Sequence, residues 1–77
     1  MKIQAHNGVV LTADLPGEKL QAGDVGPVVH VHKGEKAYEV EFTTRDGHTL
    51  TVTTVESGKL RPVCGRDVAH VRELQTV

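Results

Sequence analysis

The chain has 77 residues, with nine basic and ten acidic side chains, a formal net charge of −1 and five histidines. That near balance argues against strong electrostatic capture of nucleic acid or an anionic membrane. A chain this short is expected to form one domain, 1–77, and to bury only about 60% of its unfolded surface, so its core is small.

Tyr38 and Phe42 are the only aromatics, and there is no tryptophan, so aliphatic side chains must build most of that core. Cys64 is the single cysteine, which rules out an internal disulfide and suits a reducing compartment. No apolar run approaches the ~20 residues that span a bilayer. Met1 to His6 lacks the apolar region of a signal peptide. The expectation is a soluble, cytoplasmic protein with no membrane partner.

In chain order, Gly8-Val9-Val10-Leu11-Thr12 is apolar and β-prone and reads as the first strand. Residues 13–24 carry Asp14, Pro16, Gly17 and Gly23, too broken for a helix, and read as a long loop. The second strand runs from Val25 to Lys33. Alternation puts Val25, Pro27, Val29 and Val31 on the core face and Val28, His30 and His32 on the other. Gly34-Glu35 suits a two-residue type II′ turn.

The third strand, Ala37 to Thr44, alternates Tyr38, Val40 and Phe42 with Glu39 and Glu41. With Lys33 and Lys36 flanking the turn, Val31 faces Tyr38, Val29 faces Val40 and Pro27 faces Phe42. Asp46-Gly47 then signals a hairpin. A two-residue loop sets Phe42 against Thr51. A three-residue loop, Arg45 to Gly47, sets Phe42 against Leu50 and Val40 against Val52, and is preferred because it keeps apolar residues together. The fourth strand runs from His48 to Val55. Glu56-Ser57-Gly58 is a turn, and Leu60-Arg61-Pro62-Val63 is a brief fifth strand.

The tail, 64–77, is open to two readings. Asp67 could cap a short helix with Val68, Val71 and Leu74 on one stripe, or the same residues could form one more strand; the helix is preferred.

Five motifs stand in order: Val9-Val10-Leu11-Thr12-Ala13-Asp14-Leu15-Pro16, Gly23-Asp24-Val25-Gly26, Tyr38-Glu39-Val40-Glu41-Phe42, Asp46-Gly47 and Leu60-Arg61-Pro62-Val63. Together they resemble a widespread bacterial family of small, uncharacterised SH3-like (KOW-like) proteins, a domain of unknown function. The resemblance covers roughly residues 8–63. It implies an all-β, five-stranded SH3-like barrel at about 8–63, followed here by the tail. Family members often stand beside another small protein's gene. The resemblance therefore implies a binding module, the antitoxin- or immunity-like half of a pair being one form. It supplies no catalytic residues. Pro27 departs from the pattern, and so does the tail beyond Val63.

Several groups of residues bear on chemistry or binding. His30 and His32 point the same way from one strand, and Glu39 lies opposite His30, so a His-His-Glu metal site is geometrically conceivable. A solvated sheet face gives the same pattern and is the preferred reading, so no metal or other cofactor is expected. Glu39 and Glu41 share that face, but an open sheet offers no cleft to shift their pKa values. Lys33, Lys36, Arg45, Lys59, Arg61, Arg66 and Arg72 are scattered rather than grouped, which disfavours the KOW-like nucleic-acid alternative. Cys64 reads as a spectator, although Arg61 and Arg66 flank it. The apolar stripe Val68, Val71 and Leu74 needs somewhere to go. It is the candidate surface for a protein partner or for self-association. The expected function is that of a non-enzymatic protein-interaction module.

Overall fold

The computed structural model describes residues 3–74. It is all-β: five strands form one antiparallel sheet in the order β4-β3-β2-β1-β5. The strands are β1 Gly8–Leu11, β2 Val25–Val31, β3 Ala37–Thr43, β4 Thr49–Glu56 and β5 Leu60–Pro62. Short 3-10 turns lie at Pro16–Glu18, Lys33–Glu35 and Ser57–Lys59. The sheet is open, with β4 and β5 as its two edges.

β2 is the shared element. Its first residues pair with β1, Gly8 opposite Pro27 and Val10 opposite Val25. Its later residues pair with β3, and a bulge lies between Val28 and His30. The expected partners Val31–Tyr38 and His30–Glu39 are present, but Val40 faces Val28 rather than Val29. The extra residue inverts the alternation N-terminal to the bulge. Val28 is therefore fully buried, whereas Val29 and Val25 are 41% and 50% exposed, contrary to the core face expected for them.

Gly26 explains why the chain takes this course. A Cβ at this position would lie 2.3 Å from the Glu41 carbonyl oxygen. Only glycine lets β3's backbone come so close. Phe42 and Val40 lie in the core, whereas Pro27, expected on the core face opposite Phe42, is exposed.

The β3–β4 hairpin also departs from expectation. Its loop is the expected three residues: Thr44 N–H bonds His48 O at 2.9 Å, and Gly47 takes a φ of 91°. A register shift between Phe42 and Thr43 then absorbs one residue, so Phe42 faces Thr51 and Val40 faces Thr53. Val52 is thereby turned outward and is 50% exposed. Thr51 and Thr53 occupy half-buried positions instead. At the β2–β3 connection, Lys33–Glu35 forms a 3-10 turn with positive φ at Gly34 (81°) and Glu35 (57°), not the expected II′ turn.

The core joins Ile3, Val9, Leu11, Leu20, Val28, Tyr38, Val40, Phe42, Val55 and Leu60. Leu15, Val31 and Leu50 pack partly against it. Leu20 reaches the core because the long loop folds on itself, Leu15 N–H bonding Leu20 O at 2.9 Å.

The tail is neither helix nor strand over residues 63–74. Asp67 is the reason the expected helix does not start. An N-cap carboxylate accepts from N–H groups that follow it. Asp67 instead accepts from the preceding Cys64 N–H at 2.7 Å and from Arg61. Gln75, Thr76 and Val77 lie outside the described residues.

Candidate functional site

Asp24 is the one buried charged side chain among the described residues, at 9% exposure. The loop before β2 delivers it there. Gly23 bends at a φ of 97°. Its N–H bonds Leu11 O at 2.8 Å, while Leu11 N–H bonds Asp24 O at 2.9 Å. The loop end is thus stapled to β1, and the carboxylate faces the tail.

The tail supplies its partners. Arg72 Nε–H donates to Asp24 Oδ1 at 2.8 Å and Nη2–H to Oδ2 at 2.6 Å, a two-point charged bond. Arg72 Nη2–H also donates to Lys19 O at 3.0 Å. His70 Nε2 lies 3.2 Å from Oδ1, and the Gln21 N–H donates to Oδ2 at 2.9 Å. The His70 ring lies over Gly23, 3.5 Å from where a Cβ would stand. Burial alone would raise the Asp24 pKa. The Arg72 hydrogen bonds and charge, with Gln21 and His70, outweigh that and hold it below the usual carboxylate value.

A second clasp precedes this one. Arg61 grips Asp67 with Nη1–H to Oδ2 at 3.0 Å and Nη2–H to Oδ1 at 2.8 Å. The Arg61 hydrogen bonds and the Cys64 amide hold the Asp67 carboxyl at a pKa of about 2. The tail is therefore fixed at Asp67 and again at His70 and Arg72.

Between and beside these anchors the expected stripe divides. Val68 is 91% and Val71 83% exposed, so neither packs over an end of the sheet. Leu74 is half-buried at the rim of an open cleft of about 980 Å³, which Leu20, Val25, Phe42 and Leu50 also line.

A family model described as Domain of unknown function (DUF4926) matches residues 5–62. The chain belongs to this family. The matched DUF4926 span holds Asp24 but ends before His70 and Arg72. The clasp thus ties the family domain to the segment that follows it. No curated protein and no solved structure matches the chain.

The other predicted positions are arranged less tightly. His30 and His32 meet edge to face, their ring centroids 5.1 Å apart, and His30 stands opposite Glu39 in the ladder. Among the described residues, no group of three or more His, Cys, Asp or Glu side chains is placed to hold a metal ion. His32 Nε2 is buried without a hydrogen-bond partner. Glu41 accepts from the Thr49 hydroxyl at 2.8 Å. Cys64 is free and exposed. Of the scattered cations, Arg61 and Arg72 are engaged by Asp67 and Asp24. No helix among the described residues is long and apolar enough to cross a membrane.

Sequence reasoning missed the Asp24–Arg72 clasp. Its partners are 48 residues apart, and neither sits in a motif that specifies the other.

Proposed function

We propose that this protein is a non-enzymatic, cytoplasmic interaction module with an SH3-like fold, whose anchored tail presents Val68 and Val71 to a protein partner. The observation that carries the reading is the pairing of near-complete exposure at these two valines with ion-pair anchors on both sides. A tail held in place loses less conformational freedom when it docks, so its small apolar side chains contribute more affinity. The strand order, the long first loop and the 3-10 turn before β5 support the SH3-like assignment. The partner is the product of a neighbouring gene, in the manner of an antitoxin or immunity protein.

The test is titration of the neighbouring gene's product with the full chain and with a Val68→Ser, Val71→Ser double variant. Micromolar or tighter binding that weakens roughly tenfold or more in the variant supports the proposal. No binding, or equal binding by both chains, contradicts it. The KOW-like nucleic-acid alternative gains no support from the arrangement of the cations, since Arg61 and Arg72 are neutralised by carboxylates.

A further inference from the structure

One loop makes the acceptors of the Asp24 site. Leu15 and Leu20 bond each other through both backbone N–H groups, at 2.9 Å and 3.1 Å. Between them Lys19 takes a left-handed φ of 60°, which residues other than glycine adopt rarely. The Ala22 N–H is held by Asp14 at 2.8 Å, and the Gln21 N–H holds Asp24 Oδ2. Both oxygens of Asp24 and the Lys19 carbonyl oxygen thereby come within reach of one guanidinium. All of these residues lie inside the family span 5–62, whereas the guanidinium comes from outside it.

The tail rests on this loop as a separate ligand would. Among the described residues, no backbone hydrogen bond joins 68–74 to the rest of the chain. Side chains make the attachment, and they alternate. His70 and Arg72 bond Asp24, and Leu74 is half-buried at the cleft lined by Leu20, Phe42 and Leu50, while Val71 and Glu73 are exposed. An extended segment turns every second side chain to one face.

We propose that the loop Leu15–Asp24 and the adjoining cleft form a receptor for an arginine-bearing segment of another protein, an extended Arg-x-Leu sequence, and that Arg72 and Leu74 are its occupants in cis. The ligand class follows from the side chain seated there. A planar guanidinium reaches two carboxylate oxygens and a carbonyl together, which an ammonium cannot do. The tethered occupant competes at an effective concentration on the order of millimolar, so the tail is autoinhibitory toward weaker segments. The inference uses neither Val68 nor the exposed face of Val71 and does not rest on the proposed function.

The experiment is an NMR titration of the full chain, read at the backbone amides of Gln21, Gly23 and Asp24. The probe is the capped peptide His-Val-Arg-Glu-Leu, the sequence of residues 70–74. An Arg72→Ala, Leu74→Ala double variant vacates the site. It is expected to bind the peptide with a Kd of roughly 1 mM, and the parent chain about tenfold more weakly or less. A peptide with lysine in place of arginine is expected to bind at least about fivefold more weakly. Asp24→Asn, added to the double variant, is expected to abolish the shifts, and Val68→Ser to leave them unchanged. If the double variant does not give the spectrum of a folded chain, Arg72→Gln alone is titrated in the same way. No saturable shift up to about 10 mM peptide overturns the inference. So does equal binding of the lysine peptide, or binding that survives Asp24→Asn.

Discussion

Arg72 closes on Asp24 through two hydrogen bonds, of 2.8 Å and 2.6 Å, across 48 residues of chain. This one pair converts the segment after β5 from a trailing end into part of the folded surface. The carboxylate is buried and already bonded to the Gln21 amide, so the guanidinium completes a site that the loop has prepared.

Removing the guanidinium leaves that carboxylate with His70 as its only side-chain partner. Arg72→Ala is expected to lower stability by about 1–2 kcal/mol, the penalty for a partly buried charge that loses its partner. Chemical denaturation measures it. Arg72→Lys should recover only part of the loss, because an ammonium cannot make the two-point bond.

Acid should weaken both clasps. Asp67 is held at about 2 and Asp24 below its ordinary value. A carboxylate whose folded pKa is depressed adds stability above its unfolded pKa and loses it as pH falls through the folded value. The melting temperature is therefore expected to fall from about pH 4 toward pH 2. In an Asp24→Asn, Asp67→Asn double variant the decline over that window should be shallower.

Gly26 is expected to tolerate no side chain. Its Cβ would meet the Glu41 carbonyl oxygen at 2.3 Å, and this neighbour is backbone that cannot rotate away. Gly26→Ala should cost at least about 2 kcal/mol in a thermal or chemical melt. Gly58→Ala, where no atom lies within 4 Å, should remain within about 0.5 kcal/mol of the parent.

These glycines also show where the sequence could be read and where it could not. The five strands were legible because β-branched runs and turn residues alternate clearly along the chain. Their ends fell within a residue or two of the expected positions. The faces were less legible because two register shifts, at Val28/His30 and Phe42/Thr43, each reverse a strict period-two alternation. Gly26 was the available signal for the first, since glycine inside a strand marks a bulge or a close approach. The second had no such marker: apolar matching favoured Leu50 and Val52 as core residues, and Leu50 does pack partly against the core, but Val52 is turned outward and Thr51 and Thr53 take the half-buried positions. In the candidate site, the exposed Val68 and Val71 were singled out from the stripe alone. The anchors that hold them were not, because ion pairing over 48 residues leaves no local pattern.

The histidine pair is expected to be replaceable. His32 Nε2 is buried with no partner, an arrangement that costs desolvation energy without a compensating bond. His32→Leu should leave stability unchanged or raise it by up to about 1 kcal/mol. Adding zinc to the parent chain should not move its melting temperature. A zinc-dependent rise lost in His30→Ala would assign these residues to a metal instead.

The central claim, that an anchored tail offers Val68 and Val71 to a protein partner, is tested most directly by calorimetric titration of the neighbouring gene's product. The parent chain, the V68S/V71S double variant and Arg72→Ala are compared. The account predicts binding by the parent, with affinity lowered roughly tenfold or more in the double variant and by a smaller factor when the anchor is cut. Equal affinity in all three chains, or no binding by the parent, would contradict it.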